Sequence, residues 1–370
     1  MSFTLPTDDQ RMLADSARTY VQRLAGAAPR WQDLADFGWL ALPLPEAWGG
    51  LAGSMADTCV LAEALGRAPT VAPFVALALL GAGLLAEVAD PALADGDWPA
   101  ALAEGRRRVA LAAWEPGRGQ ALDPVACQAR PAAEGWRLDG IKSLVPAGDE
   151  ADAWLVPAAL GDGRGGLFLL PAGTAGLGLD KHRLVDGQGA ATLRLDGVVL
   201  GAPLLAAPMA ELQARLQTAI DRATLAHGAE LVGAMAQALD TLLAYLKTRR
   251  QFGRAIADNQ VVQHRLVDLH VEITEARAIT TATAAMFDSA APASRQRWCA
   301  ATRAHVAQTA QHVWEEVVQL HGAIGMTADY PASHHIQRLA VGRMLYGDAH
   351  QHLERLAAAT LDEPALDPSA

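Results

Sequence analysis

The last third of this chain carries four apolar stripes at helical spacing, and they limit its fold more than any other feature. Leu239, Leu242, Leu243 and Leu246 fall at i, i+3, i+4 and i+7. Val262, Leu266, Leu269, Ile273 and Ala276 alternate steps of four and three, as do Val306, Ala310, Val313, Val317 and Leu320. Ile336, Leu339, Ala340, Arg343 and Met344 begin a fourth stripe. Residues so spaced share one helix face, and long helices of this kind bury that face against one another. The spacing predicts an antiparallel four-helix bundle over 205–361. The remainder, 362–370, with Pro364 and Pro368, reads as a frayed tail.

Upstream the texture differs. Residues 1–108 read as a helical domain. Thr7 stands three residues before Gln10, a capping-box pair ahead of MLADSARTYVQRL. Pro43, Pro45 and Gly49-Gly50 force a tight loop, and Gly66 reads as the C-cap of a helix from Ala56. From 109 to 204 short apolar runs alternate with Gly, Pro and Asp, as in RVALAAW, GWRLDGIKSLVP and GGLFLLPA. That is strand-and-turn spacing, and it predicts a β-barrel or sandwich. The expected fold class is therefore α+β: a helical domain, a β domain, then the bundle.

Composition narrows the function classes. A formal net charge of −11 argues against nucleic acid as a partner. Cys59, Cys127 and Cys299 are odd in number and form no CxxC, which fits buried thiols in a reducing compartment. No basic start leads into an apolar run, so a cytoplasmic location is expected. The apolar stretch Val71–Val88 is interrupted by Pro73 and reads as a buried helix rather than a membrane span.

Chemistry concentrates in Lys247–Asp268, between two striped helices. Arg249, Arg250, Phe252 and Gly253, then Asn259, Gln260 and Gln263, crowd this break. Guanidinium forks, an aromatic ring and amides suit an anionic cofactor better than a core. His334, His335, His350 and His352 cluster later, but no HExxH pattern accompanies them, and no metal site is expected.

With TRRQFG, NQVVQH and QLHGAIGMTADYP in the last third, PEAWGG and EPGRG upstream, and the helical–β–helical order, nearly the whole chain resembles the acyl-CoA dehydrogenase flavoproteins. The resemblance implies FAD lying extended across a subunit interface and an acyl-CoA thioester oxidised at Cα–Cβ. It also implies an electron-transfer flavoprotein as electron acceptor. Arg249 would pair with the cofactor's pyrophosphate, with Arg250 beside it. Phe252 would pack on the cofactor and Gln260 would bond near it. Gln319, His321, Gly322 and Ala323 would line its adenine and ribose end.

The same resemblance exposes departures. The family's base is a carboxylate that removes the α-proton. In many members it is a glutamate about nine residues after the position of Arg338, and here that count lands on Gly347. Asp348 is adjacent. A second group places the base early in the first bundle helix, where the count reaches Ala223; Asp221 lies two residues earlier and Glu230 about two turns later. Asp348 and Asp221 are thus the candidate bases, each equally readable as a helix-opening acid, and Glu230 reads as a polar interruption facing an interface. Near the flavin ring the expected hydroxyl, Trp and Ser/Thr positions hold Trp114, Leu144 and Pro146, and Gln120 and Ala121 follow Gly119.

Loss of one half-site and retention of the other resembles the short subunits of heteromeric, α2β2 bacterial members, which often act on steroid side chains or other bulky acyl groups. Such a chain would complete the FAD site of a competent second dehydrogenase subunit. The alternatives are a self-sufficient homotetramer using Asp348 or Asp221, and a catalytically silent structural partner.

Overall fold

The structure, a computed structural model, describes residues 6–361 apart from 71, 90, 124, 328 and 329; the tail 362–370 lies outside the described residues. Helix α1 (Asp8–Arg23) opens as its sequence requires, with Thr7 accepting from the Gln10 amide and Gln10 returning a bond to the Thr7 amide. Then follow α2 (Trp31–Asp36), α3 (Met55–Gly66), a π-helix (Phe74–Ala82) that runs into α4 (Gly83–Val88), and the short α5 (Pro91–Ala94) and α6 (Trp98–Ala103). From Phe74 the apolar stretch is helical and buried, as expected, but the nine residues Phe74–Ala82 are wound as π. Within it position 81 tolerates no side chain, since a Cβ on Gly81 would stand 1.8 Å from the Val109 carbonyl oxygen. Among the described residues no helix is long and apolar enough to cross a membrane.

Eight strands follow: β1 (Val109–Leu111), β2 (Gln128–Ala132), β3 (Gly135–Pro146), β4 (Ala153–Ala159), β5 (Arg164–Pro171), β6 (Leu177–Arg183), β7 (Gly189–Leu200) and β8 (Leu205–Pro208). They form one sheet in the order β6-β7-β3-β2-β4-β5-β8, with β1 pairing with β4 in parallel. Antiparallel pairing dominates, which matches the one-sided alternation of β7. Trp154, Phe168, Leu193 and Val198 lie in its core. At roughly 1.5–3 kcal/mol for each large apolar side chain removed from water, this core is a main source of the sheet's stability.

The chain then enters α7 (Met209–Thr248), forty residues and about 60 Å at 1.5 Å per residue. A small hairpin, β9 (Arg250–Gln251) with β10 (Arg254–Ala255), leads to α8 (Gln260–Phe287) and α9 (Pro292–His321). The fourth stripe is divided between α10 (Pro331–Gly342) and α11 (Ala349–Leu361), separated by a turn over 343–348. Five helices thus stand where the spacing suggested four. The break comes where Tyr346 and Gly347 take positive φ, 59° and 101°, which no helix accommodates.

Contacts divide the chain into two compact units that do not follow chain order. One comprises Met1–Gly26, Met55–Pro69 and Thr224–Ala370; the other comprises Ala27–Ser54 and Thr70–Ala223. The first unit's core interleaves Leu242, Leu269, Val313 and Leu339. In it α3 meets α7 at two glycines: a Cβ on Gly66 would lie 2.1 Å from the Glu230 carbonyl oxygen, and one on Gly233 2.0 Å from that of Glu63. Gly66 does end its helix, but close backbone approach is what excludes a side chain there.

Candidate functional site

The stretch Lys247–Asp268 folds as a helix end, a two-residue hairpin and a helix start. The hairpin loop is Phe252-Gly253, with φ of 51° and 82°, the pattern of a type I′ turn. Glycine takes that conformation freely, whereas for phenylalanine it costs about 1 kcal/mol or more. Phe252 is also 100% exposed. A strained backbone that holds an aromatic ring wholly in water is unfavourable for the isolated chain. Arg249 is exposed and its side chain has no bond to any described residue, whereas Arg250 donates to the Gly253 carbonyl at 3.3 Å.

The same end of the first unit gathers the other expected cofactor residues. His321 closes α9, and its ring lies tilted 5.0 Å from Tyr245 in the last turns of α7 and edge-on 5.1 Å from Tyr330. Its Nδ1 donates to the Val317 carbonyl at 2.7 Å, and its buried Nε2 has no partner among the described residues. Burial lowers its pKa, so the ring is neutral and Nε2 is an acceptor. Gly322 caps α9 with φ 67°, and nothing lies within 4 Å of where a Cβ would stand. Gln319, Gly322, Ala323 and Gln260 are exposed. The structure therefore brings Arg249, Phe252, His321 and Gly322 to neighbouring helix ends that the sequence separates by some seventy residues.

The turn at Gly347 is closed. The His352 ring donates from Nε2 to the Tyr346 carbonyl at 2.9 Å. A Cβ on Gly347 would meet that same nitrogen at 2.6 Å. The buried guanidinium of Arg303 donates to the carbonyls of Gly342 and Leu345, pinning the turn from below. Asp348 is the N-cap of α11: its carboxylate accepts from the Gln351 amide at 2.9 Å, and Gln351 returns a bond to the Asp348 amide at 3.2 Å. Asp221, in the other unit, is wholly buried and accepts from the Gln217 side chain at 2.8 Å.

Glu230 does not face an interface. It is 4% exposed and accepts from Arg338 at 2.6 Å and from His227 at 3.0 Å. Burial alone would raise its pKa, but the Arg338 charge and the His227 bond outweigh that and hold it below the usual carboxylate range. Burial lowers the pKa of His227, while its two ring nitrogens face acceptors, Nδ1 the Glu230 carboxylate at 3.0 Å and Nε2 the Gly342 carbonyl at 3.2 Å. Sequence reasoning passed over His227 and Arg303, and met His352 only as one of a histidine cluster. One signal was available: Arg303 extends the apolar stripe of α9 backwards, three residues before Val306 and four after Cys299, a charge at a core position.

Two buried histidines make the chain sensitive to acid. Burial lowers His335 to about 3 and His352 to about 4, from an ordinary value near 6.5. Protons then bind the unfolded chain first, and the stability present above pH 6.5 is lost as pH falls towards those values. Between pH 6 and 5 we expect a loss of about 1.4 kcal/mol per pH unit for each histidine. Denaturant titrations across that range check it, and His352→Gln should flatten the slope by one proton.

In the second unit the EPGRG glutamate is structural. Glu115 accepts from Lys142 at 2.7 Å and from the amides of Cys127 and Ala126 at 2.9 and 2.7 Å. Burial opposes its charge, yet the Lys142 ammonium and the two amides hold its pKa down. Leu144 is 41% exposed with φ 49°, and Pro146 ends β3 opposite Ala190. Neither offers a side-chain donor where the resemblance implies Trp and Ser/Thr.

Two family models match: the acyl-CoA dehydrogenase N-terminal domain over residues 7–97 and the C-terminal domain over 214–361. Together they cover well over half of the chain. The chain belongs to the acyl-CoA dehydrogenase family. Among curated relatives, the acyl-CoA dehydrogenase FadE27 of Mycobacterium tuberculosis is 29% identical over 351 residues, 90% of this chain and 88% of that protein. Among solved structures, the ChsE4-ChsE5 complex of M. tuberculosis matches with a TM-score of 0.86 and 26% identity, covering 99% of this chain and 100% of the matched one. A steroid ACAD, Tcur3481-Tcur3483, matches at 0.83 and 29%, covering 96% and 98%. This acyl-CoA dehydrogenase-family chain has the family's fold: a helical N-terminal part, a central sheet and C-terminal helices.

Proposed function

We propose that this chain is the non-catalytic subunit of a heteromeric, FAD-dependent acyl-CoA dehydrogenase, completing the cofactor site of a catalytically competent partner subunit. One contrast carries the reading. The hairpin end presents a strained, fully exposed Phe252, a free Arg249 fork and an open Gly322, while the position of the family's base is filled by His352 against Gly347. The first set makes sense only when covered, and the second leaves no room for a carboxylate.

Arg249 pairs with the anionic pyrophosphate of FAD, Arg250 stiffens the hairpin, and Phe252 packs on the cofactor. Gln260, Gln319, His321, Gly322 and Ala323 line the adenine and ribose end, where the neutral His321 Nε2 accepts from a hydroxyl or amine. Bound there, FAD supplies the hydride acceptor for α,β-dehydrogenation of an acyl-CoA. Asp348 stays a helix cap and Asp221 a buried partner of Gln217, so the α-proton is taken by the other subunit. The two-component names of the structural neighbours, one of them a steroid enzyme, favour a bulky acyl group such as a steroid side chain. The electron acceptor is an electron-transfer flavoprotein.

The test is flavin stoichiometry and native mass, for the chain alone and with a candidate partner dehydrogenase. The expected result is little FAD alone and a flavin-loaded heteromer together. Arg249→Ala should strip the flavin completed by this chain, a loss of about 1.5–3 kcal/mol of binding for the charge-assisted contact, or roughly ten- to a hundredfold. A yellow homotetramer active on acyl-CoA would overturn the reading. A heteromer whose flavin is indifferent to Arg249→Ala would leave the chain a silent structural partner.

A further inference from the structure

The first compact unit holds a crevice of about 1060 Å³, walled by α1 and α3 on one side and by α7, α8 and α10 on the other. It involves none of the hairpin residues. The chain as a whole has 41 acidic residues against 30 basic, yet the charged groups lining this crevice are four arginines and two acids. Arg277 uses only its Nε, which donates to Glu63 at 2.7 Å; Arg67 uses one terminal nitrogen, on Asp240. A guanidinium carries five N–H donors in a fixed fork, so most of each fork is left over. Thr241 donates its hydroxyl to the Gln237 carbonyl at 2.9 Å, which leaves its lone pairs for a ligand.

His335 also points to a ligand in this crevice. It lines the crevice, is 4% exposed, and its Nδ1 has no partner among the described residues. A buried ring nitrogen without a partner is destabilising unless something satisfies it. Ala14, Val21, Val60 and Ala64 keep the facing wall small and apolar. Surplus guanidinium donors, an unsatisfied buried imidazole and a smooth apolar wall suit a ligand with a charged oxygen head and an uncharged body. A cation would meet the arginines, and a neutral ligand would leave their forks unused.

We infer that this crevice binds an oxyanion, the carboxylate or phosphate group of a small molecule, with Arg67, Arg277 and His335 as its ligands. The site is independent of the flavin reading. Inorganic phosphate and, separately, sodium octanoate are titrated calorimetrically into the full chain, or its heteromer, at fixed ionic strength. One saturable event per chain is expected. Stronger phosphate binding identifies a phosphate head, and stronger octanoate binding a carboxylate with a hydrocarbon body. Arg277→Gln should weaken binding at least tenfold without changing flavin content, and Arg249→Ala should leave it unchanged. Because Arg277→Gln also strands Glu63, the double variant Glu63→Gln, Arg277→Gln is measured too; it removes the fork and its counter-charge together and should show the same loss. Absence of saturable binding by both probes, or undiminished affinity in the double variant, overturns the inference.

Discussion

Glu230→Leu is expected to destabilise the chain by about 3–5 kcal/mol, the range for stranding one partner of a buried ion pair. Arg338 is 1% exposed and would be left with its charge uncompensated, its remaining bonds being to the carbonyls of Gly66 and Ala68 at 2.8 and 3.1 Å. Arg303 is a second buried cation nearby, and burial already lowers its pKa to about 10. Glu230 is the carboxylate paired with Arg338, whereas the charge that favours Arg303 comes from Asp348. Removing Glu230 leaves the Arg338 charge uncompensated in the core. Equilibrium urea unfolding measures the effect. Adding Arg338→Met should recover part of the loss but not all, because two carbonyls then lose their donor. A single variant within about 0.5 kcal/mol of the parent would show that Glu230 does not hold this core together.

The second large effect concerns Gly347. Restoring the family's glutamate by Gly347→Glu should not create a self-sufficient enzyme. It should instead destabilise the chain by about 2–4 kcal/mol. A side chain at φ 101° carries backbone strain of about 1–3 kcal/mol, and its Cβ must also displace the His352 ring from 2.6 Å. Displacing that ring breaks its bond to the Tyr346 carbonyl. Adding His352→Ala should relieve the contact but not the backbone strain, so stability recovers only in part and turnover by the chain alone stays absent. Turnover of acyl-CoA by the single Gly347→Glu chain would mean that the turn opens readily, and would sink the view that it is closed.

The sequence alone determined the secondary-structure plan and the family. Stripes at 3.6-residue spacing, the Gly- and Pro-punctuated strands and the Thr7–Gln10 cap are local patterns, so they are legible without a structure. Motifs such as TRRQFG and QLHGAIG marked which residues matter, and the missing glutamate could be counted. The tertiary structure decided what each residue faces. Glu230 read as a polar interruption facing an interface because nothing local says that Arg338, more than a hundred residues on, is folded against it. For Asp348 the count offered a candidate base, and the structure adds that its carboxylate caps α11 through Gln351. The Phe252-Gly253 turn and the closed Gly347 turn depend on backbone φ that side-chain patterns do not encode. Lys247–Asp268 stood out as a candidate cofactor grip from its residue types. That Phe252 stands fully exposed on a strained turn follows only from the tertiary structure.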